Sequence, residues 1–163
     1  MNTQLMARLT VGGGDAAVDT GLPALDLLLT VLARYGRFDL ALEVAPGTAQ
    51  AQLAAGQALG DALYPVLREQ GARGHGLGAV PSEEALASVA LDLSDRPRVV
   101  SNVDLSSVHL GGLDTDVMAG FLDQLATRAG IVLHVRLAHG EDELHVLESI
   151  FKALGAALGE ACH

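Results

Sequence analysis

The chain has 163 residues, of which half are apolar but only 3% aromatic, and it carries a formal net charge of −10. This length is enough for one domain with its own core, so residues 1–163 are predicted to form a single domain. Its 10 basic residues are dispersed against 20 acidic ones, which excludes nucleic acid as a partner. Asp26, Arg34 and Asp39 interrupt the longest apolar stretch, which excludes a membrane span.

The mean hydropathy of +0.34 is high for a chain that does not cross a membrane. It predicts that apolar surface is buried against further copies, as in a homo-oligomer. Met1–Thr10 lacks the basic start and the apolar middle of a signal peptide. The one cysteine, Cys162, cannot form an internal disulfide. Together these features predict a cytoplasmic protein.

The first half begins with two predicted strands, Leu5–Val11 and Ala16–Val18, which the glycines at 12–14 would join as a hairpin. Asp19-Thr20 is a predicted helix N-cap. The apolar stripe of the helix that follows, predicted to end at Gly36, consists of Leu25, Leu28, Leu29 and Leu32. Alternation then predicts a strand with one covered face, made of Phe38, Leu40, Leu42 and Val44. A second helix carries Leu59, Leu63 and Leu67, and Pro65 is predicted to kink or shorten it.

The second half repeats this order after a glycine-rich segment, Glu69–Pro81, which is predicted to be a linker. Two strands, Ala85–Leu93 and Arg98–Leu105, would form another hairpin, and Asp114-Thr115 would cap the next helix. That helix carries Val117, Phe121 and Leu125 and is predicted to end at Gly130. The last strand carries Ile131, Leu133, Val135 and Leu137, and the last helix carries Leu147, Phe151, Leu154 and Leu158.

The two halves are similar in sequence as well as in order. At a nearly constant offset, features of Asp19–Leu63 recur in Asp114–Leu158, for example QALGDAL as KALGAAL. The pattern predicts an α+β fold, made by internal duplication of a strands-helix-strand-helix unit. Its halves are about 1–70 and 80–160. Two sheets, each with helices packed on one face, are the expected architecture.

Several motifs, taken in order, make the sequence recognisable. They are Thr20-Gly21 with Asp26 and Leu29, Gly36 with Phe38, Ala58–Leu63, Leu91–Ser94, Gly112–Thr115, Leu133–Arg136 and Glu148–Ala153. Over Thr20 to about Leu158 the chain resembles the imidazoleglycerol-phosphate dehydratase family of histidine biosynthesis. The resemblance implies a fold that is itself an internal duplication. It also implies a lyase in which two manganese ions, held by histidine and glutamate, bind the imidazole of the substrate.

The resemblance implies that most of the family's metal ligands are missing from this chain. The motif H-H-x-x-E-D falls on Ala49–Ala54, and in D-H-M the acid is kept as Asp26 but the histidine falls on Leu27. A further ligand histidine falls on Gly120. In the last motif, H-H-x-x-E, the first histidine falls on Leu144, whereas His145 and Glu148 keep the family residues. No cofactor is therefore predicted, although the family uses manganese.

The candidate site residues are those that survive in motif positions: His145, Glu148, Asp26 and Glu84. His145 and Glu148 lie at i, i+3 on a helix and are weak metal candidates, but a solvated pair is the alternative. Asp26 could cap or pair, and Glu84 is predicted to be a structural acid rather than a base. The family's phosphate-binding arginines fall on His75 and His109, which leaves nearby Arg73 as a weak phosphate candidate. No catalytic residue is predicted.

Three functions are consistent with this pattern. The first is a non-catalytic family member that acts as an assembling or small-ligand-binding protein. The second is an active manganese dehydratase with a rebuilt site, and the third is a structural subunit that co-assembles with an active homologue. Family members resemble one another in forming trimers that associate into larger shells through their metal sites. Without those ligands, a metal-independent homo-oligomer, a trimer, is predicted instead of the shell.

Overall fold

A computed structural model describes residues 5–104 and 117–163. Seven strands and four helices lie within these ranges, and none of the helices is long and apolar enough to cross a membrane. In chain order they are β1 Leu5–Val11, β2 Ala16–Asp19, α1 Pro23–Gly36, β3 Phe38–Val44, α2 Ala51–Val66, β4 His75–Ser82, β5 Ala85–Leu93, β6 Arg98–Ser101, α3 Val117–Ala129, β7 Ile131–His139 and α4 Glu143–Ala161.

The strands form two separate mixed sheets. One has the order β1-β3-β2 and the other the order β4-β5-β7-β6. In the first sheet β3 runs antiparallel to β1 and parallel to β2, and in the second β7 runs antiparallel to β5 and parallel to β6. The predicted α+β class is confirmed. The order β1-β3-β2 has the same pattern of parallel and antiparallel neighbours as β5-β7-β6, whereas β4 has no counterpart in the first sheet among the described residues.

Both predicted hairpins are wrong, although strands do form on either side of each turn. β1 and β2 do not pair because β3 lies between them, and β7 separates β5 from β6 in the same way. The loop at Gly12–Gly14 therefore crosses the end of β3 with positive φ at all three glycines. The Asp39 carboxylate on β3 accepts hydrogen bonds of 3.1 Å from the N–H groups of Gly14 and Asp15, which hold the crossing in place.

The linker predicted for Glu69–Pro81 is also wrong in its second half, because His75–Ser82 forms β4 and pairs with β5. Glycine normally weakens a strand, which is why the segment looked like a connection. Gly76 and Gly78 instead allow α4 to approach the strand closely. A Cβ atom on Gly76 would collide with the carbonyl oxygen of Ala157, and one on Gly78 with that of Ala153.

The helix ends agree with the sequence only in part. α1 begins at Pro23 after Leu22, with no side-chain cap, so the N-cap predicted at Asp19-Thr20 is wrong. The corresponding prediction for Asp114-Thr115 lies outside the described residues. Gly36 is the last residue of α1, but Arg37 takes the left-handed conformation, with φ 57°. Gly130 does end α3, with φ 70°, and α2 ends one residue after Pro65.

The predicted apolar stripes of all four helices are buried, and so is the inward face of β3 and most of β7. They join one continuous cluster with members from both halves of the chain. Of the predicted inward residues of β7, only Leu137 is partly exposed. Phe121 and Phe151 meet in the cluster with their ring centroids 5.9 Å apart. Ring contact of this kind adds to the burial of a core that has few aromatic residues.

Helices of opposite halves pack on each other through glycine. α1 packs on α4 and α2 packs on α3, while each helix also contacts its own sheet. A Cβ atom on Gly155 would collide with the carbonyl oxygen of Leu32, and one on Gly60 would lie 2.9 Å from the carbonyl oxygen of Leu125. Gly60 and Gly155, like Leu32 and Leu125, occupy matching positions of the sequence repeat. The helices thus lie between the two sheets, and the opposite face of each sheet is outermost.

Candidate functional site

A cavity of about 470 Å³ opens beside the N-terminal ends of α1 and α2. Its lining contains no charged side chain among the described residues, and its polar members are Thr20, Thr48, Gln50 and Gln52. Gln50 precedes α2 in the left-handed conformation, with φ 54°, and its side chain does not cap the helix. The structure therefore places Gln50, Ala51 and Gln52, from the segment Ala49–Ala54 where the family motif falls, at the rim of a cavity with neutral polar walls.

Asp26 supports this cavity from within α1. Its Oδ1 atom accepts hydrogen bonds from the backbone N–H of Thr20 at 2.8 Å and from the Thr20 hydroxyl at 2.6 Å. The hydroxyl oxygen in turn accepts from the N–H of Leu22 at 3.1 Å. The carboxylate thus fixes the segment that leads into α1. Leu27, the next residue, is 49% exposed, so the two neighbours face different surroundings.

Replacing Asp26 with alanine should destabilise the fold by about 1–3 kcal/mol, because the N–H and the hydroxyl of the buried Thr20 both lose their acceptor. Asp26→Asn keeps one carbonyl oxygen and should cost clearly less. Urea denaturation of the two variants beside the unchanged protein measures the difference. Equal stability of the alanine variant and the unchanged protein would contradict the supporting role of Asp26.

A second polar cluster lies where the β4–β5 turn meets the start of α4. Glu84 Oε1 lies 2.6 Å from His145 Nδ1, and Glu84 Oε2 accepts from the N–H groups of Glu141 and Asp142 at 3.0 and 2.9 Å. Asp142 caps α4 by accepting from the N–H of His145 at 3.1 Å. Glu84 therefore attaches the turn to the N-terminus of the helix, where a negative charge is favourable.

These contacts shift the pKa of both partners. Hydrogen bonds from the N–H groups of Asp142 and Glu141, with that from His145, lower the pKa of Glu84 from 4.5 to about 2. The hydrogen bond to Glu84 raises the pKa of His145 above its ordinary value of 6.5. Both side chains remain about 30% exposed, so solvent screens the pair. Its principal effect is to orient the imidazole, since Nδ1 is engaged by Glu84.

The same face of α4 continues the attachment over two turns. The Ser82 hydroxyl donates to Glu148 Oε1 at 3.2 Å. The buried Ser149 hydroxyl donates to the carbonyl of Val80 at 2.5 Å and accepts from the N–H of Ala87 at 2.8 Å. Lys152 Nζ donates to the carbonyl of Pro81 at 3.3 Å. His145 and Glu148 therefore do share a face, but each is bonded to the hairpin and not to the other.

The sequence interpretation missed how these side chains are arranged. It identified His145, Glu148 and Glu84 as separate survivors and gave no role to Ser82, Ser149 or Lys152. The polar residues of α4 occur at i, i+3, i+4 and i+7, which is the spacing of one helix face. That spacing was a usable signal. No such signal identified the strand that packs against this face, because the glycine-rich strand β4 was taken for a linker.

Arg73, the weak phosphate candidate, lies exposed in the loop before β4 and does not line the cavity. The structure therefore does not bring it together with Asp26. Across residues 5–104 and 117–163, no group of three or more histidine, cysteine, aspartate or glutamate side chains is arranged to hold a metal ion. His109, at the other family arginine position, lies outside the described residues.

Comparison with known proteins agrees with the fold and with the order of the motifs. The family model described as imidazoleglycerol-phosphate dehydratase matches residues 20–158, which is most of the chain. The chain belongs to the imidazoleglycerol-phosphate dehydratase family. The family relationship predicted from the sequence is thereby confirmed, and the matched residues include both the cavity and the Glu84 cluster.

Curated relatives and solved structures are similar over nearly the full length. The imidazoleglycerol-phosphate dehydratase of Clostridium botulinum (strain Kyoto / Type A2) is 38% identical over 156 residues, which cover 92% of this chain and 79% of that protein. The one from Syntrophobacter fumaroxidans is 39% identical over 166 residues, covering 98% and 84%. The Staphylococcus aureus dehydratase structure superposes with a TM-score of 0.88 at 27% identity, covering 98% of this chain and 94% of that one. The Pyrococcus furiosus structure gives 0.82 at 25%, covering 99% and 90%.

Proposed function

We propose that this chain is a non-catalytic member of the imidazoleglycerol-phosphate dehydratase family that acts as an assembling or small-ligand-binding protein. The main support for this proposal is the chemistry of the side chains at the family's metal-ligand positions. Gln50 and Leu53 occupy the first motif, and Leu27, Gly120 and Leu144 occupy three further histidine positions. Manganese prefers carboxylate and imidazole ligands, and none of these side chains supplies one.

The packing around Gly120 adds a second argument. A Cβ atom on Gly120 would lie only 2.8 Å from Leu53 Cδ2. Two positions that carry ligands in the family are therefore in contact here, with a leucine side chain over a glycine. An imidazole at position 120 would have to displace the end of the Leu53 side chain. The residues present do not fit a manganese site, and no catalytic step is assigned to the metal.

The cavity beside α2 supports the ligand-binding part of the proposal. It keeps a volume of about 470 Å³, within the usual range for small-molecule pockets. Its hydroxyl and amide side chains can both donate and accept hydrogen bonds. We expect such walls to recognise a small polar molecule without the help of a metal ion.

An active dehydratase is the second candidate, and two observations favour it. Relatives bearing that name are 38% identical over 92% of the chain. In addition, Glu84 engages Nδ1 of His145, which leaves Nε2 as the available ring nitrogen. A histidine that binds a metal ion or transfers a proton through one ring nitrogen commonly has its other ring nitrogen hydrogen-bonded to a carboxylate.

Elemental analysis and a dehydratase assay on one sample separate these candidates. The protein is purified without chelator, dialysed and assayed with imidazoleglycerol phosphate and added manganese, with the Staphylococcus aureus enzyme as the positive control. We expect manganese far below one ion per chain and no turnover above background. Stoichiometric manganese together with turnover would establish the active enzyme instead. If turnover of an active relative changes on co-expression with this chain, the chain is a structural subunit of a mixed assembly.

A further inference from the structure

β1 has a free edge where its counterpart in the second half has a neighbour. β5 lies between β4 and β7, whereas β1 pairs with β3 alone among the described strands. Gly12 continues the pairing, since its N–H donates to the carbonyl oxygen of Arg37 at 2.7 Å. Bonded and unbonded pairs alternate along antiparallel strands, so the N–H and C=O groups of Ala7 and Leu9 point away from β3. Such an edge is a template for a further strand.

The inner face of β1 is also less covered than that of β5. Ala7 and Leu9 correspond to Val89 and Leu91, because each lies opposite the matching residue of β3 or β7. Val89 and Leu91 are 0% and 4% exposed, whereas Ala7 and Leu9 are only partly buried. β4 and α4 together close this side of the core in the second half. The first half has no strand in the place of β4 among the described residues.

α2 presents a surface of the same kind as the one that β4 covers on α4. Four fully buried residues of α4, spaced one turn apart, lie under β4: Ser149, Ala153, Ala157 and Ala161. Their counterparts in the sequence repeat are Ala54, Ala58, Ala62 and Val66 of α2. Of these four, only Ala58 is buried, and the others are partly exposed. We call the surface formed by the free edge of β1 and these four residues of α2 the open edge.

We propose that the open edge binds an extended segment of a partner protein, which joins the first sheet as a fourth strand antiparallel to β1. Backbone hydrogen bonds to β1 would hold the segment, and its inward residues would lie against α2. The first sheet would then have the same strand order as the second. The proposal does not rest on the proposed function, since no residue of the open edge occupies a metal-ligand position.

The second half indicates what the segment must contain. The positions opposite Leu9 and Ala7 correspond to Gly76 and Gly78 of β4, where a Cβ atom would collide with carbonyl oxygens of α4. The segment therefore needs glycine at two alternate positions. The residue between them faces Arg8, which is exposed on the outer face of β1, and a carboxylate is a favourable cross-strand neighbour for arginine.

The described strands of a second copy do not meet this requirement. β4 of a second copy has the two glycines, but they already lie against its own α4. β1 of a second copy would turn Leu9 towards α2, and a leucine side chain prevents the close backbone approach that glycine allows. The occupant is therefore a segment of a different protein.

A synthetic peptide with the sequence of β4, HGLGAVPS, tests the proposal in place of the unidentified segment. Fluorescence anisotropy of the labelled peptide measures its binding to the whole chain. We expect saturable binding that Ala62→Leu weakens at least tenfold, because the larger side chain fills the space of the added strand. Ala17→Leu makes the same change at an exposed position of β2 and should leave binding unchanged. Circular dichroism and thermal unfolding show whether each variant is folded.

N-methylation of the peptide tests whether it binds as a strand. The N–H of Leu93 donates to the carbonyl oxygen of Gly74, so by alternation the N–H of Gly78 faces β5 and that of Ala79 faces away. A methyl group on the nitrogen at the Gly78 position should therefore weaken binding at least tenfold. The same group at the Ala79 position is the matched control and should have little effect.

Replacing the leucine of the peptide, at the position of Leu77, with glutamate tests the register. This residue would face Arg8, so binding should strengthen about two- to fivefold, and Arg8→Ala should abolish the gain. Absence of saturable binding by either peptide, or binding that neither Ala62→Leu nor N-methylation at the Gly78 position weakens, would overturn the proposal. If the peptide does not bind and Ala62→Leu dissociates an oligomer, a second copy occupies the open edge and the proposal is wrong.

Discussion

Alanine in place of Gly155 is expected to destabilise the protein by about 1–3 kcal/mol, even though alanine favours a helix. The added Cβ atom would collide with the carbonyl oxygen of Leu32 and lie 3.1 Å from the N–H nitrogen of Gly36. Both are backbone atoms of α1 and have no rotamer to adopt. α1 and α4 must therefore separate, and the buried side chains between them lose contact.

Gly120→Ala is the matched control, since it is the same change within a helix. Its Cβ atom would meet Cδ2 of Leu53, the end of a flexible side chain that can rotate away. The variant should be unchanged or gain up to about 1 kcal/mol from helix propensity. Urea denaturation midpoints at constant slope compare the two. If both substitutions shift the midpoint equally, close backbone approach at Gly155 does not set the spacing of the helices.

A second expected result concerns the dependence of stability on pH, and it comes from Glu84. Its folded pKa of about 2 is below the ordinary 4.5, so its contribution is complete above pH 4.5 and is lost as pH falls towards 2. The pKa of His145 is raised above 6.5, so its contribution is complete below pH 6.5 and is lost as pH rises through the raised value. The pair should therefore stabilise the fold most between about pH 4.5 and 6.5.

Glu84→Gln should remove this dependence while keeping an oxygen that accepts from the N–H groups of Glu141 and Asp142. The difference in unfolding free energy between the unchanged protein and this variant should be greatest between those two pH values and should shrink on either side. Urea denaturation from pH 3 to pH 8 records it, and NMR titration of His145 should show a lower pKa in the variant. Glu83→Gln removes a neighbouring charge that bears on His145 only through the Coulombic field, so its difference curve should stay nearly flat. Equal curves for both variants would show that the Glu84–His145 contact does not form.

Much of the fold could be predicted because local pattern and burial agree along most of the chain. Leu25, Leu28, Leu29 and Leu32 lie on one face of a helix and are all buried, and the alternation from Phe38 to Val44 marks the buried face of β3. Motif order was equally informative for the family, because it depends on sequence alone. The candidate site residues were also identified from their positions in the motifs, but the residues to which they hydrogen-bond were not.

Local sequence patterns did not predict which strands and helices, distant in the chain, pack against one another. The turns at residues 12–14 and 94–97 looked like hairpins because nothing near them records that β3 or β7 inserts between the flanking strands. Gly76 and Gly78 looked like breaks because their function is close approach to α4, and the residues that they approach lie 81 and 75 positions away in the chain. Glu84 and His145 are 61 positions apart and meet only after the β4–β5 turn docks on α4.

The sequence by itself determined the apolar periodicities, the class of fold and the family, since each of these is a property of residue order. The tertiary structure alone decided which strands are neighbours, which glycines set the distance between helices, and which face each charged side chain occupies. The physical reason is that these features depend on contacts between segments that are far apart in the chain. Local hydrogen bonding and hydrophobic periodicity do not specify such contacts. Only packing around the common core selects one arrangement among those that the local patterns permit.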